Sequence, residues 1–205
     1  MIIEELPVGN LEANCYIIGC SETGESAVID PGDEVERILE RLSQQGLKNT
    51  AIILTHGHAD HIGAVGQLKK ATNAPVMIHS QDGTMLTNPA LNLSSWLGEQ
   101  LAFKPADRLL EDGDQIQIGN LILDVIHTPG HTPGGICLKL GGQVFTGDTL
   151  FAQSIGRSDF PGGSQATLIS SIKKKLMTLP DETAVYPGHG PSSTIGQEKR
   201  SNPFL

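Results

Sequence analysis

The stretch THGHADH, residues 55–61, places three histidines and one aspartate within a single short segment. The chain has 205 residues and only seven histidines, so this segment holds nearly half of them. It directly follows AIIL, residues 51–54, an apolar run typical of a buried strand. Because a strand fixes where the following loop starts, such a loop can direct several side chains into one cleft. The stretch therefore predicts a ligand-bearing loop at the end of a core strand.

Three later segments repeat this arrangement of a strand-like run that ends in a glycine-flanked histidine or aspartate. They are VIHTPGHTPGG (125–135) with His131, VFTGDTL (144–150) with Asp148, and VYPGHGP (185–191) with His189. Imidazole and carboxylate groups are ligands suited to zinc, iron or manganese. The four ligand segments contain no cysteine, which argues against a closed structural zinc site. His79 and His127 end strands away from these ligand positions, and we interpret them as ordinary polar residues.

Composition excludes several other classes of function. The formal net charge is −9 and the longest basic run is KKK at 173–175, so a broad nucleic-acid or anionic-membrane surface is not expected. The start MIIEELP lacks the pattern of a signal peptide, and no apolar run of about 18 residues could span a membrane. Cys15, Cys20 and Cys137 are spaced like neither a disulfide framework nor a zinc finger. Reduced thiols and a cytoplasmic location are therefore predicted.

The periodicity of apolar residues alternates between strand and helix. Three strand-like runs come first, MIIEEL (1–6), NCYIIG (14–19) and SAVID (26–30). A helix capped by Asp33 is then predicted, because one apolar face contains Val35, Ile38, Leu39 and Leu42. The segment 82–106 is ambiguous and is interpreted as short helical pieces. A strand-rich region follows, and then a last amphipathic helix carries Leu168, Ile169, Ile172, Leu176 and Leu179. This order predicts an α/β layered sandwich that forms a single domain over residues 1–205.

The full set of ligand positions resembles a known family. The metallo-β-lactamase superfamily has the pattern H-x-H-x-D-H…H…D…H, and this chain resembles it with THGHADH followed by His131, Asp148 and His189. The segment VIDPGD (28–33) extends the resemblance over nearly the whole chain. The resemblance implies an α/β fold of αβ/βα type, a four-layer sandwich of two mixed β-sheets flanked by helices. It also implies a dinuclear metal cleft along one edge of the sandwich.

The same resemblance assigns roles to individual residues. It implies that one metal ion is held by His56, His58 and His131, that a second is held by Asp60, His61 and His189, and that Asp148 bridges both. Asp60 and Asp148 would be the catalytic residues that hold a nucleophilic hydroxide. Asp30 matches an acid that orients a ligand histidine, although an ordinary Asp-Pro-Gly turn would explain it equally well. The cofactor implied is a pair of divalent ions, with zinc first and iron or manganese as alternatives.

Charge counting connects this centre to a reaction. Two divalent ions bring +4, whereas Asp60, Asp148 and a hydroxide bring −3, which leaves about +1 in the cleft of an acidic chain. Paired ions also lower the pKa of a shared water and stabilise the oxyanion that forms on a carbonyl. The predicted chemistry is therefore hydrolysis of a small molecule.

The stretch TGDTLFAQSIGRSDFPGGS, residues 146–164, resembles the glyoxalase II branch, whose members hydrolyse S-acylglutathione thioesters. The chain is most similar to the short form that lacks a C-terminal helical glutathione-binding domain. The predicted substrate is S-lactoylglutathione or a related acyl-thiol. Arg157 is predicted to bind the substrate's carboxylate, with an internal ion pair to Asp159 as the alternative. Antibiotic hydrolysis is not expected, because β-lactamases with a similar site carry cysteine or no bridging carboxylate where Asp148 stands.

A second interpretation of the same residues is a persulfide dioxygenase. The segment GRSDF at 156–160 resembles a motif of such dioxygenases, which act on glutathione persulfide. In this chain the single iron of that reaction would be held by His56, His131 and Asp148. A metal-binding module without catalysis is a third and weaker interpretation, because no ligand of the pattern is missing. The number of bound ions separates the first two interpretations. Nothing in the sequence indicates the oligomeric state.

Overall fold

The computed structural model describes residues 1–205 and contains two six-stranded mixed sheets. The first sheet has its strands in chain order: β1 (Ile2–Val8), β2 (Ala13–Gly19), β3 (Glu25–Ile29), β4 (Lys48–Ile53), β5 (Val76–His79) and β6 (Arg108–Leu110). Strands β1 to β3 pair antiparallel, whereas β3 to β6 pair parallel. Parallel neighbours need crossover connections, and two of them contain the helices α1 (Val35–Gln44) and α3 (Val65–Thr72). The short helix α2 (Ala59–Ile62) precedes α3.

The second sheet is built from the C-terminal half in the spatial order β14, β13, β10, β9, β8, β7. Its strands are β7 (Gln115–Ile118), β8 (Leu121–His127), β9 (Ile136–Leu140), β10 (Gln143–Gly147), β13 (Ala184–Pro187) and β14 (Ser193–Thr194). All neighbours pair antiparallel except β10 and β13, whose crossover contains helix α4 (Gln165–Ser171). A small hairpin of β11 (Leu150–Phe151) and β12 (Ser154–Ile155) follows β10, and helix α5 (Ile195–Ser201) follows β14.

Three hydrophobic layers hold these elements together. Side chains alternate between the two faces of a strand, and in β2 Ile17 packs under the helices α1 and α3 while its neighbour Ile18 packs between the two sheets. Both are fully buried. A third cluster places Leu168 and Ile172 against the outer face of the second sheet. The order of layers is helix, sheet, sheet, helix, which confirms the predicted four-layer αβ/βα sandwich.

Two helix details differ from the sequence prediction. The predicted cap Asp33 does not cap α1, because Glu34 occupies the cap position in the left-handed region (φ 53°) with no side-chain cap. Asp33 instead accepts a hydrogen bond from the backbone N–H of Glu34 (2.7 Å). The predicted last helix is present, but after α4 it continues as a π-helical turn, Ile172–Leu176. Its predicted apolar face is buried at Leu168, Ile172 and Leu176.

The segment that the sequence left ambiguous contains two 3₁₀ helices, Ser80–Thr87 and Ser94–Leu97. Short tight turns of this kind carry no 3.6-residue periodicity, which explains why the pattern was weak. No helix of the protein combines the length and the apolar character needed to cross a membrane.

Candidate metal centre

All seven predicted ligand residues lie in one cleft between the two sheets. They belong to the segments that follow the C-terminal ends of β4, β8, β10 and β13, with Asp60 and His61 in the short helix α2, so both sheets contribute to the site. One ring nitrogen from each of His56, His58 and His131 forms one group, in which the three ligand atoms lie within 4.8 Å of each other. One ligand atom from each of Asp60, His61 and His189 forms a second group on the same criterion. The two groups correspond to the two predicted subsites.

The first group is made of three imidazoles in close contact. His131 Nε2 lies 2.9 Å from His58 Nδ1 and 3.2 Å from His56 Nε2. All three residues are buried. Burial lowers the pKa of His56 well below its usual value and lowers that of His58 to about 3, with the neighbouring histidines acting in the same direction. The rings of His56 and His58 are therefore neutral, which is the state that a metal ion requires of an imidazole ligand.

The second group contains a carboxylate and is more open to solvent. His189 Nε2 lies 3.2 Å from Asp60 Oδ2 and 3.3 Å from His61 Nε2. Burial alone would lower the pKa of His61, but the carboxylates of Asp60 and Asp148 outweigh it and raise that pKa well above its usual value. The carboxylates thus favour positive charge at this position, whether a proton or a metal cation supplies it.

Asp148 lies between the two groups. Its Oδ2 is 3.5 Å from His131 Nε2, and its Oδ1 is 3.4 Å from His61 Nε2. Oδ1 is buried and accepts no hydrogen bond, which is a costly state for a carboxylate oxygen unless a cation compensates it. Gly188 is required beside it, because a Cβ at that position would lie 2.3 Å from Asp148 Oδ1.

The outer nitrogens of three histidines fix the tautomer of each neutral ring. Three Nδ1 atoms face backbone or side-chain oxygens: His131 faces the carbonyl of Arg157 (2.6 Å), His189 that of Leu11 (3.2 Å) and His61 the Asp30 carboxylate (3.0 Å). Those oxygens can only accept, so each Nδ1 must carry the proton and donate it. In the neutral form of each ring, Nε2 therefore presents a lone pair to the cleft. This donor set fits divalent cations.

Asp30 forms hydrogen bonds beside both ligand groups, which an isolated Asp-Pro-Gly turn would not require. Its carboxylate accepts hydrogen bonds from the backbone N–H of Thr55 (2.7 Å), from the Thr55 hydroxyl (2.6 Å) and from His61 Nδ1. Because the Thr55 hydroxyl donates to Asp30, its oxygen is free to accept from His56 Nδ1 at 3.1 Å. Asp30 thus orients one histidine of each group. Its own backbone is in the left-handed region (φ 50°), which is uncommon for a residue other than glycine.

Asp82 is a further positioning residue that the sequence reasoning missed. It is fully buried at the start of the first 3₁₀ helix and accepts hydrogen bonds from the Thr132 hydroxyl (2.7 Å) and the Gly134 N–H (2.6 Å). Both donors lie in the loop that carries His131. Burial raises the pKa of Asp82, and the two hydrogen bonds oppose that rise. An Asp-Gly pair in a segment without periodicity looks like an ordinary turn, so no sequence signal identified it.

The predicted substrate anchor lies at the mouth of the cleft and already has a partner. The guanidinium of Arg157 donates to both carboxylate oxygens of Asp159, at 3.0 and 2.9 Å, and stacks 4.3 Å above the ring of Phe160. The internal pair that the sequence offered as an alternative is therefore formed. The Arg157 side chain also lines the cavity above the ligands, so pairing with Asp159 does not remove it from the site.

His79 and His127 lie apart from the seven residues, as predicted. Their rings stack on each other at 4.0 Å, and His127 Nε2 donates to the carbonyl of Pro133 at 2.9 Å. Neither belongs to a group of candidate ligands.

Comparison with known proteins agrees with this geometry. A family model described as the metallo-beta-lactamase superfamily matches residues 8–189. Hydroxyacylglutathione hydrolase GloC of Haemophilus influenzae is 40% identical over 209 residues, which cover 100% of this chain and 98% of that protein.

Three crystal structures are similar over almost the whole chain. The B3 metallo-β-lactamase BLEG-1 has a TM-score of 0.95 and 41% identity, covering 100% of this chain and 99% of its own. TTHA1623 in a di-iron-bound form has a TM-score of 0.86 and 40% identity, covering 98% and 100%. ETHE1 from Myxococcus xanthus has a TM-score of 0.85 and 35% identity, covering 99% and 84%. By fold, family match and ligand pattern, the chain belongs to the metallo-β-lactamase superfamily.

Proposed function

We propose that the protein is a hydrolase that holds two divalent metal ions and cleaves the thioester of S-lactoylglutathione or a related acyl-thiol. The observation that carries the proposal is the convergence of two ligand groups on Asp148, whose buried Oδ1 has no other partner. The full-length likeness to GloC supports the thioester class, and the likeness to di-iron TTHA1623 supports a centre with two ions.

In this proposal each group would hold one ion, and Asp148 would supply negative charge to both. The first group is His56, His58 and His131; the second is Asp60, His61 and His189. Zinc is the expected metal, with iron or manganese as alternatives. When bound, two such ions lower the pKa of a shared water toward neutrality and polarise the carbonyl under attack.

The chain's own residues contribute orientation and charge. Asp30 and Thr55 fix the rings of His61 and His56, and the carbonyl of Arg157 fixes that of His131, so the inward lone pairs stay aligned. Asp60 and Asp148 supply the negative charge that holds the centre. The guanidinium of Arg157 is proposed to bind a carboxylate of the substrate while its exposed partner Asp159 turns toward solvent.

The test is an assay of thiol release from S-lactoylglutathione by protein loaded with zinc, iron or manganese. We expect turnover by loaded protein and loss of turnover after chelation, with recovery on adding the metal back. Asp148→Asn is the matched variant, since it keeps the shape of the side chain but removes its charge. Thiol release that is the same in the chelated protein would contradict the proposal.

The second candidate is a persulfide dioxygenase with one iron, favoured by the likeness to ETHE1 together with the segment GRSDF at 156–160. That reaction would use His56, His131 and Asp148 and would leave the second ligand group without a role. Oxygen uptake with glutathione persulfide by iron-loaded protein, without hydrolysis of the thioester, would replace the first proposal with this one.

A β-lactam antibiotic should be tested as a substrate in the same assay. The sequence argued against antibiotic hydrolysis, yet the B3 metallo-β-lactamase BLEG-1 is 41% identical over the full length. A chromogenic cephalosporin therefore serves as a third substrate. We expect it to be cleaved much more slowly than the thioester, and comparable rates would widen the proposed substrate class.

A further inference from the structure

A cavity of about 400 Å³ opens directly above the candidate metal centre. Its floor consists of candidate ligands, among them His58, Asp148 and His189. Its wall is mainly apolar, with Asn92 and Arg157 as polar members, and its large apolar residues are Leu11, Leu93, Trp96, Leu97, Phe151 and Phe160. Arg157 is the only lysine or arginine among the lining residues.

Several of these wall side chains are exposed to an unusual degree. Trp96, Leu97 and Leu11 expose 66%, 56% and 54% of their surface. Large apolar residues that are exposed singly need no explanation, but a group of them lining one concave surface marks a binding site. The chain has only one tryptophan, and it lies here.

The loop that presents Trp96 and Leu97 is anchored by buried polar groups. Asn92 is fully buried, and its side-chain amide donates to the carbonyls of Met85 (2.9 Å) and Leu101 (2.8 Å). The backbone carbonyl of Asn92 accepts from the N–H of Ala59 at 2.9 Å, between the candidate ligands His58 and Asp60. The apolar residues are therefore held at a fixed position relative to the metal centre.

Phe160 connects the wall to the ligands. Its ring packs edge-on against His58, with centroids 5.6 Å apart, and against Trp96 at 6.0 Å. The apolar surface thus begins at a candidate ligand and continues outward to the rim. A substrate group that leaves the reacting carbonyl in this direction meets no unpaired polar side chain.

We infer that this wall, formed by Trp96, Leu97, Phe160 and their neighbours, binds the acyl group of the substrate, and that the substrate class is thioesters with apolar acyl groups. The inference rests on the proposed hydrolase function. A lactoyl group is short and carries a hydroxyl, so it would leave most of the wall in contact with water. A medium-length aliphatic or aromatic acyl group would cover it. The single arginine at the rim remains available for a charged thiol such as glutathione.

The test is a series of S-acylglutathiones that share one thiol and differ only in the acyl group: S-acetyl, S-lactoyl, S-butyryl and S-hexanoyl. We expect kcat/KM to rise by about twofold to fourfold for each methylene group that leaves water. In Trp96→Ala and in Leu97→Ala this dependence on chain length should be reduced. Leu109→Ala is the matched control for Leu97→Ala, because Leu109 is exposed to a similar extent (54%) but lies on β6 and does not line the cavity.

The outcomes separate the inference from the proposed function. If metal-loaded protein hydrolyses the whole series with no dependence on chain length, the acyl site is wrong and the hydrolase function stands. If it hydrolyses none of them, the proposed function fails and the inference fails with it. A dependence on chain length that Leu109→Ala reduces as much as Leu97→Ala would also overturn the inference. Metal content and circular dichroism of each variant show that it is folded, and Leu97→Ala provides the test if Trp96→Ala does not fold.

Discussion

The two ligand groups of the cleft differ in their exposure to solvent. His56, His58 and His131 are each at most 6% exposed, and they are enclosed by loops from both sheets. In the second group His61 is fully buried, but the side chains of Asp60 and His189 are 21% and 28% exposed. Both groups border the cavity through which a substrate would enter, the first through His58 and His131 and the second through Asp60 and His189.

This difference indicates that the two proposed ions are not equivalent. The first site is formed by three buried imidazoles and includes no carboxylate of its own. The second site relies more on the negative charge of Asp60 and Asp148 and is accessible to water and chelators. Because the dioxygenase interpretation needs only one ion, the occupancy of the second group decides between the two reactions.

The largest effect is expected for Asp148→Ala, which removes the only carboxylate that contacts both groups. Both ions should bind more weakly, and turnover should fall by more than about 100-fold, beyond the usual cost of losing a residue that only positions a ligand. Metal content after gel filtration and steady-state rates measure this. A variant that keeps both ions would show that the two groups do not depend on Asp148.

His189→Ala and His58→Ala should separate the two groups, with an effect on one ion each. His189→Ala removes a ligand from the open group, so we expect one tightly bound ion per chain and little hydrolysis. His58→Ala should instead lower the affinity at the buried group. Calorimetric titration of apoprotein with zinc resolves the two binding steps. If both variants lose the same step, the assignment of ligands to two groups is wrong.

Asp30→Asn should have an intermediate effect through the orientation of His61 and Thr55. An amide offers one acceptor oxygen where the carboxylate offers two, so one of the three present hydrogen bonds is weakened or lost. We expect metal affinity to fall by about 10-fold to 100-fold. Asp33→Asn, three positions further in the exposed turn, is the matched control and should bind metal like the unmodified protein.

Arg157→Ala should leave both ligand groups loaded, because only the backbone carbonyl of Arg157 contacts His131. If the guanidinium binds substrate, the variant should show a raised KM, a nearly unchanged kcat and full metal content. A loss of thermal stability with an unchanged KM would show that the side chain serves only its pair with Asp159.

The sequence predicted the ligand set and the fold for the same reason. Each ligand follows a strand whose apolar pattern is strong, so His56, His131 and Asp148 could be placed at strand ends before the strands were arranged in space. The resemblance then suggested a positioning role for Asp30, whose left-handed backbone the sequence does not reveal.

What the sequence did not reveal lies in segments without periodicity. The Asp82 carboxylate accepts from Thr132 in the loop of His131, and the backbone carbonyl of Asn92 accepts from Ala59 beside His58. Trp96 belongs to a 3₁₀ turn. The cap of α1 was predicted one residue too early, because a left-handed Glu34 replaces the usual side-chain cap. Such features depend on tertiary contacts rather than on local propensity.

The most direct test of the two-group account is the number of metal ions per chain, measured by elemental analysis of protein saturated with metal and correlated with the rate of thioester hydrolysis. We predict two ions per chain, with hydrolysis appearing only as the second ion binds. A single ion per chain under metal excess, or full hydrolytic activity with one ion bound, would contradict the account.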